Sequence, residues 1–205
     1  MPGIDNGAPT TIQIGVIGPG AQDATAEQYD LARQVGRLLA ESGACVVCGG
    51  RGGVMEGVAL GVAEARGFCV GLLPGHDRSE ANPYLSVAIC TGIGEKRNEA
   101  VVESSDAMIA IGVNEGTAIE VILAKQRGIT VFGLGVGPIV VAARRLDGVV
   151  PVPGPVKAVE RALEAARSPR WAGARQRWAL NRCAEPADGV DELPSAPDHG
   201  ARDGQ

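Results

Sequence analysis

Short apolar runs alternate with helix-length amphipathic segments along most of this 205-residue chain. The first runs cover residues 12–17, 44–48 and 68–72, and each has the length and apolar character of a buried strand. Because consecutive strand–helix–strand units place their strands in parallel, the alternation predicts an α/β fold. We therefore predict a doubly wound, mainly parallel sheet with helices on its faces.

The same patterns set the remaining boundaries. Further strands are predicted at 86–90, 107–111, 129–134 and 149–150. Helices are predicted at 25–42, 54–66, 95–104 and 156–167, together with one that opens at Thr117 and ends at 127. The segment at 139–146 fits neither pattern.

Two regions follow from these elements. Residues 10–167 are expected to form a single Rossmann-like domain for binding a nucleotide or another phosphate ligand. Residues 168–205 are rich in proline, charged and small residues, which predicts a poorly structured C-terminal tail. Trp171 and Trp178 leave open whether a short helix of this tail docks onto the domain.

Charge and hydropathy exclude several function classes. The net charge is −5 and the sequence pI is about 5.1, which argues against broad binding to nucleic acid or to a membrane surface. No apolar run approaches the roughly 18–20 residues that span a bilayer. Residues 1–10 lack the basic and apolar regions of a signal peptide. We therefore expect a cytoplasmic protein whose partners include neither nucleic acid nor a membrane.

Cysteine and histidine do not form a metal-binding motif in this sequence. Cys45 and Cys48 have a redox-like spacing, but they fall in one predicted strand, where residues three apart point to opposite faces. These thiols therefore cannot share a metal ion, and buried structural cysteine is the favoured interpretation. Only two histidines, His76 and His199, are present, so no metal site is predicted.

Glycine-rich loops follow four of the predicted strands, at 18–20, 49–53, 92–94 and 112–116. In a parallel sheet such loops lie at the carboxyl edge, where ligands of open α/β sheets bind. Glycine lets the backbone approach a ligand closely, and the amides at a following helix N-terminus attract anions. Tight turns alone explain any one of these loops, but four on one edge favour an anionic ligand.

The last of these loops belongs to the segment Ile-Gly-Val-Asn-Glu-Gly-Thr-Ala-Ile-Glu at 111–120. It is predicted to run from a strand through a glycine turn into a helix. Thr117 and Glu120 have the spacing of a capping box, in which two side chains satisfy free amides and no ligand is needed. The alternative is a phosphate site at the helix N-terminus with the Glu120 carboxylate beside it.

Two common nucleotide motifs are absent from the sequence. The loop at 18–20 lacks the third glycine of the dinucleotide fingerprint, and the strand ending at Cys48 lacks the acid that binds a ribose. No Gly-Lys-Ser/Thr sequence occurs, which excludes a P-loop ATPase. Two arginines are candidate anion partners: Arg51 inside a glycine loop, and Arg97 at a helix start, where a cation opposes the helix dipole.

Several of these motifs, taken in order, resemble a known protein family. Gly-Gly-Arg-Gly-Gly-Val-Met-Glu-Gly at 49–57, Arg97 and Gly-Thr-Ala-Ile-Glu at 116–120 are similar to motifs of the Lonely Guy (lysine-decarboxylase-like) superfamily of Rossmann-type proteins. Ala-Asn-Pro-Tyr at 81–84 and Thr-Gly-Ile-Gly-Glu-Lys-Arg-Asn at 91–98 resemble its branch of molybdenum-cofactor-carrier-like proteins in particular.

The resemblance implies two different functions. Lonely Guy enzymes hydrolyse the N-glycosidic bond of cytokinin riboside 5′-monophosphates, and their catalytic arginine and glutamate match Arg97 and Glu120. A carboxylate at Glu120 would stabilise an oxocarbenium-like transition state. The carrier-like branch implies instead the binding of the phosphate-bearing molybdenum cofactor without turnover. A homo-oligomer, expected to be a dimer, is also implied by the resemblance.

The chain departs from the Lonely Guy motif at 112–114, where Gly-Val-Asn replaces Pro-Gly-Gly. Val113 is branched where glycine would let the backbone approach a phosphate. We therefore favour a binding or carrier protein for a phosphorylated, nucleotide-like ligand, with molybdenum cofactor as the candidate cargo and no other cofactor expected. A phosphoribohydrolase acting on a nucleoside 5′-monophosphate is the alternative, so whether the chain is an enzyme stays open.

The two functions share one set of expected site residues. The catalytic pair of the hydrolase would be Arg97 and Glu120. The expected ligand- or phosphate-binding residues are Gly18, Gly20, Gly50, Arg51, Gly52, Gly53, Met55, Asn98, Gly116 and Thr117.

Overall fold

The computed structural model of the protein contains a central sheet of seven parallel strands. The strands of the described residues are β1 (Gln13–Ile17), β2 (Cys45–Cys48), β3 (Phe68–Leu73), β4 (Val87–Cys90), β5 (Ala107–Ile111), β6 (Val131–Leu134), β7 (Val140–Val141), β8 (Arg144–Arg145) and β9 (Val149–Pro151). The sheet order is β4-β3-β2-β1-β5-β6-β9, and β7 and β8 pair separately. The chain therefore builds the sheet outward from its centre in both directions, and the predicted doubly wound parallel sheet is confirmed.

The structure describes residues 11–167 except positions 138, 142, 143 and 146. These residues belong to one compact unit, Pro9–Arg170. The predicted tail at 168–205, with Trp171 and Trp178, lies outside the described residues, so its interpretation stays a prediction.

Helices cover both faces of the sheet. They are α1 (Ala26–Glu41), α2 (Val54–Glu64), α3 (Arg97–Glu103), α4 (Glu115–Gln126) and α5 (Pro155–Ala166). Apolar residues of α1, α2 and α5 form one buried cluster with the sheet, and those of α3 and α4 form the other. In β5, Ile109 and Ile111 face the first cluster while Met108 and Ala110 face the second, as the period-two alternation of a strand requires. A strand buried on both faces is therefore apolar throughout.

Each predicted element is found within two residues of its expected bounds. In α1, Thr25 accepts a hydrogen bond from the Gln28 amide, and the Gln28 side chain accepts one from the Thr25 amide, so a complete capping box begins the helix. The unassigned segment at 139–146 contains the two short strands β7 and β8, which pair antiparallel. The predicted helix at 95–104 consists of a 3-10 turn, Gly94–Lys96, followed by α3.

The start of α4 differs from the prediction. The helix begins at Glu115, and Thr117 lies in its first turn instead of opening it. Asn114 is the N-cap residue, and its side chain accepts a hydrogen bond from the Thr117 amide at 3.0 Å. Glu120 is thus too far along α4 to complete a capping box, and that interpretation of Thr117 and Glu120 is wrong. Asparagine is among the strongest N-cap residues, which explains why it sets the boundary.

Cys45 and Cys48 lie on opposite faces of β2, as the strand period predicts. Cys45 is half-buried, while Cys48 is buried in the cluster formed with α1, α2 and α5. Cys48 Sγ lies 4.0 Å from Sγ of buried Cys69 on the adjacent strand. Within the described residues, no helix has the length and apolar character needed to cross a membrane.

Candidate functional site

A cavity of about 620 Å³ opens at the carboxyl edge of the sheet. It is lined by the segment after β1, the loop after β2, the start of α3 and the first turns of α4. β1 and β5 are neighbours at the centre of the sheet, where the strand order reverses, and ligands of doubly wound folds bind at such a switch point. The volume also falls within the roughly 300–1,000 Å³ of typical small-molecule sites.

The structure brings most of the predicted site residues together at this cavity. Those that line it are Gly18, Gly20, Arg51, Gly52, Met55, Arg97, Asn98, Gly116, Thr117 and Glu120. Gly50 and Gly53 do not. A Cβ at Gly53 would lie 2.5 Å from the carbonyl carbon of Gly20, so Gly53 packs the second glycine loop against the first. Gly50 has φ +78° and packs against Gly71 of β3.

The loop at 92–94 was expected to contribute with the other three glycine loops. Its glycines do not line the cavity, and Gly92 packs instead against the His76 side chain. The residues that follow it do line the cavity, beginning with Glu95. Residues of the other three glycine loops and of the charged segment at the start of α3 therefore line the cavity.

Sequence reasoning missed several residues that line the cavity: Val16, Ile17, Ala21, Gln22, Asp23, Gly49, Glu80, Glu95 and Asn114. For some of them the place in the sequence was a usable signal. Ala21–Asp23 follow the glycine loop at 18–20, and Asn114 precedes a predicted helix. No sequence signal identifies Glu80, which belongs to the 3-10 turn Arg78–Glu80 between β3 and β4.

Arg97 is the first residue of α3 and is only 5% exposed. Its guanidinium lies against the backbone of Gly49, where any β-carbon would overlap Nη1. Its Nε is buried and has no hydrogen-bond partner among the described residues. A buried guanidinium donor without a partner is unfavourable, and it is therefore a candidate contact for a ligand in the cavity.

Glu120 projects from the second turn of α4 and is 7% exposed. Burial raises the pKa of its carboxyl from 4.5 to about 7; the positive charge of Arg97 lowers this pKa, and the negative charge of Glu95 raises it further. Within the described part of the chain, the carboxyl has no hydrogen bond. The Glu120 carboxyl therefore keeps its proton to a higher pH than an exposed glutamate does.

The second glycine loop is held in place by Asn82, which is 8% exposed. The Asn82 backbone amide donates to the Gly50 carbonyl at 3.0 Å, and its Nδ2 donates to the carbonyls of Gly50 and Arg51 at 3.2 and 3.0 Å. Asn82 belongs to the motif at 81–84 that resembles the carrier-like branch. Its contacts give that motif a structural role, since they fix the loop that carries Arg51.

The N-terminus of α4 is partly satisfied by the protein itself. Asn114 Oδ1 accepts hydrogen bonds from the Thr117 amide at 3.0 Å and from Thr117 Oγ1 at 2.9 Å. Asn114 Nδ2 donates to Asp23 Oδ2 at 3.0 Å, which joins the loops after β1 and β5. The amides of Glu115 and Gly116 have no acceptor among the described residues, so they remain available to an anion.

The cavity carries charges of both signs. Its cationic lining residues are Arg51 and Arg97, and its acidic ones are Asp23, Glu80, Glu95 and Glu120. In the described ranges, no group of three or more His, Cys, Asp and Glu side chains is arranged to hold a metal ion.

Two molybdenum-cofactor proteins of known structure have the same fold as this chain. The molybdenum cofactor binding protein of Rippkaea orientalis is 31% identical, with a TM-score of 0.69 over 77% of this chain and 98% of that protein. The molybdenum cofactor carrier protein of Chlamydomonas reinhardtii is also 31% identical, with a TM-score of 0.68 over 76% of this chain and 98% of that protein.

Sequence comparison gives the family directly. A protein of Archaeoglobus fulgidus is 39% identical over 135 residues, which cover 66% of this chain and 87% of that protein. Residues 11–156 match the SLOG cluster4 family, and the Lonely Guy-like resemblance and its carrier-like branch are thereby confirmed. The chain belongs to the SLOG cluster4 family.

Proposed function

We propose that this protein binds and carries a phosphorylated, nucleotide-like ligand, with the molybdenum cofactor as its candidate cargo. The observation that carries the proposal is the buried guanidinium of Arg97 beside a cavity of about 620 Å³, because its Nε has no partner in the described part of the chain. The two similar proteins that bind or carry molybdenum cofactor support this choice of cargo. Molybdenum cofactor is a pterin that bears a phosphate, and the polar groups of this cavity suit such a molecule.

The residues suggest which part of the ligand each would hold. The free amides of Glu115 and Gly116, at the positive end of α4, suit a phosphate. Arg97 can donate to an oxygen of the phosphate or of the ring system. Gly18, Gly20 and Gly52 line the cavity without side chains, which leaves room for a flat ring to approach the backbone.

The first turn of α4 departs from the Lonely Guy motif, which weakens the case for the hydrolase. In the Lonely Guy motif a glycine occupies the position of Asn114, and a helix start without that side chain offers one more amide to a phosphate. Here Asn114 Oδ1 already accepts from the Thr117 amide. Val113 is 36% exposed and does not line the cavity. The N-terminus of α4 therefore offers a phosphate one backbone amide fewer than the hydrolase motif would.

A phosphoribohydrolase is the second candidate, and one specific observation favours it. Glu120 is buried beside the cavity with a pKa raised to about 7, and Arg97 is the cation that most influences it. A carboxyl group that titrates near neutral pH is suited to proton transfer or to stabilising positive charge on a ribose.

One experiment separates the two functions. Purified protein is incubated with AMP and with N6-substituted AMP, and ribose 5-phosphate is measured. In parallel, protein loaded with molybdenum cofactor is desalted, and the retained pterin is quantified by its fluorescence after oxidation. We expect about one pterin per chain and no ribose 5-phosphate. Release of ribose 5-phosphate that disappears in Glu120→Ala, with no retained pterin, would establish the hydrolase instead.

The proposals on assembly, compartment and tail rest on the family resemblance and on the sequence. We propose a homo-oligomer, most simply a dimer, located in the cytoplasm, with a tail at 168–205 that does not form part of the ligand domain. Light scattering on the full chain tests the assembly. Retention of pterin by a chain ending at Arg167 tests whether the tail is dispensable for binding.

A further inference from the structure

Glu95 lies between the two arginines of the cavity. Its Oε1 is 3.5 Å from Nη1 of Arg51, and its Oε2 is 3.6 Å from Nη2 of Arg97. The two arginines come from different elements, Arg51 from the loop after β2 and Arg97 from the start of α3. One carboxylate therefore faces both cations, with one oxygen directed to each.

These contacts are too long to be good hydrogen bonds, since a charge-assisted N–H···O bond is normally about 2.7–2.9 Å. Glu80 provides the contrast, because its Oε2 lies 2.9 Å from Nη2 of Arg51. The Glu95 side chain is 68% exposed and has no other partner among the described residues. It is thus attracted to the arginine pair without being fixed there.

The arginine pair also has unused donors. Arg97 Nε is buried and has no partner within residues 11–167 as the structure describes them, and neither guanidinium makes a bidentate contact with Glu95. A phosphate has more oxygens than a carboxylate and can bond to both guanidinium groups at normal distances. An anionic ligand would therefore compete with Glu95 for the same two cations.

We propose that Glu95 is a displaceable internal counter-ion, which occupies the Arg51–Arg97 pair in the free protein and moves into solvent when an anionic ligand binds. The 3-10 turn that carries Glu95 begins at Gly94, whose φ is +62°. The exposed Glu95 side chain needs no backbone change to leave the arginine pair. Glu95 lowers the affinity for anions, and in this way sets how readily the site releases its ligand. The inference deepens the proposed function and rests on it only in requiring an anion site.

The test measures binding of inorganic pyrophosphate by calorimetry at low ionic strength. In Glu95→Gln we expect the Kd to fall about two- to fivefold, in line with the modest strength of exposed ion pairs. The gain should shrink as salt screens the charges. Glu95→Asp keeps the charge but shortens the reach, so its Kd should lie between those of the wild type and Glu95→Gln.

Glu99→Gln is the matched control, because Glu99 is an exposed carboxylate of α3, four residues after Glu95, and does not line the cavity. An equal gain in Glu99→Gln would overturn the proposal, since net charge alone would then explain it. Unchanged or weaker binding in Glu95→Gln overturns it too, as does a lack of pyrophosphate binding by both proteins. Binding of GMP is measured in the same way. Weaker binding of GMP by Glu95→Gln would also overturn the proposal, because Glu95 would then contact the ligand ring instead of competing with the ligand.

The test of Glu95 does not depend on which cargo the protein carries. Tighter pyrophosphate binding by Glu95→Gln, together with no retention of pterin by the wild type, would remove molybdenum cofactor as the cargo and keep the role of Glu95. Retention of pterin with no effect of Glu95→Gln on pyrophosphate would do the reverse. Thermal unfolding of each variant confirms that the exposed substitutions leave the fold intact.

Discussion

The guanidinium of Arg97 packs directly on the backbone of Gly49, where a β-carbon would overlap Nη1. Gly49 is the first residue after β2, and Arg97 is the first residue of α3, so the contact joins two elements at the carboxyl edge of the sheet. This contact keeps the arginine buried and turned toward the cavity. The absence of a side chain at position 49 is therefore a condition for the site.

Gly49→Ala should displace Arg97 and weaken anion binding. The new methyl group overlaps the guanidinium, and a flexible side chain yields more readily than the backbone. We expect the Kd for pyrophosphate to rise at least about tenfold, which corresponds to about 1.4 kcal/mol. Gly137→Ala is the control, since a Cβ there meets nothing within 4 Å. Equal affinities of Gly49→Ala and the wild type would show that Arg97 does not contact the anion.

The raised pKa of Glu120 should make stability fall as pH rises from about 4.5 to about 7. In that window the folded state binds a proton that the unfolded state has lost, so unfolding becomes easier with increasing pH. Glu120→Gln removes this dependence and should stabilise the protein at pH 8 by up to about 3 kcal/mol. Urea unfolding of both proteins at pH 5 and pH 8 measures the difference. A wild-type slope that persists in Glu120→Gln would assign the titration to another group.

Asn114 should be replaceable by glycine with a gain in phosphate binding. Glycine as an N-cap residue costs only a few tenths of a kcal/mol relative to asparagine, whereas Asn114→Ala should destabilise the protein by about 1 kcal/mol. Asn114→Gly also frees the Thr117 amide for an anion. We expect Asn114→Gly to bind pyrophosphate more tightly than the wild type in calorimetry. Weaker binding would mean that the Asn114 side chain itself contacts the ligand.

Asn82 should be needed for both stability and binding. Asn82→Ala leaves the carbonyls of Gly50 and Arg51 without their side-chain donor and removes the acceptor of the Tyr84 amide. The expected loss is about 1–3 kcal/mol in urea unfolding, because these groups are largely buried. Asn82→Asp keeps the acceptor for Tyr84 but not the donors. If Asn82→Asp were as stable as the wild type, the side-chain hydrogen bonds to Gly50 and Arg51 would contribute little to stability.

The periodicity of the sequence was sufficient for the layout of the domain. Buried strands such as β5 are apolar on both faces, and amphipathic helices such as α1 have one apolar stripe. Local patterns therefore located the seven strands of the central sheet and the five helices within two residues, but not the short strands β7 and β8. Parallel strands then require their following loops to share one edge. For that reason Arg97 and Glu120 were expected beside the same site, and both line the cavity.

The predicted start of α4 at Thr117 was wrong by two residues. Gly116 indicated a loop that continued to Thr117, whereas the hydrogen bond of Asn114 to the Thr117 amide begins the helix two residues earlier. A glycine inside a first helical turn is tolerated when a strong cap precedes it.

The tertiary structure alone decided the electrostatics of the site. Glu80 and Glu95 reach Arg51 from segments 29 and 44 residues away along the chain, and Asp23 reaches Asn114 across 91 residues. The raised pKa of Glu120 comes mainly from burial between packed elements. The sequence by itself determined the elements, their parallel order and the edge on which the site lies, because these depend on local periodicity. Which charges meet, and how far each is removed from water, depends on packing between distant segments and was settled only by the folded structure.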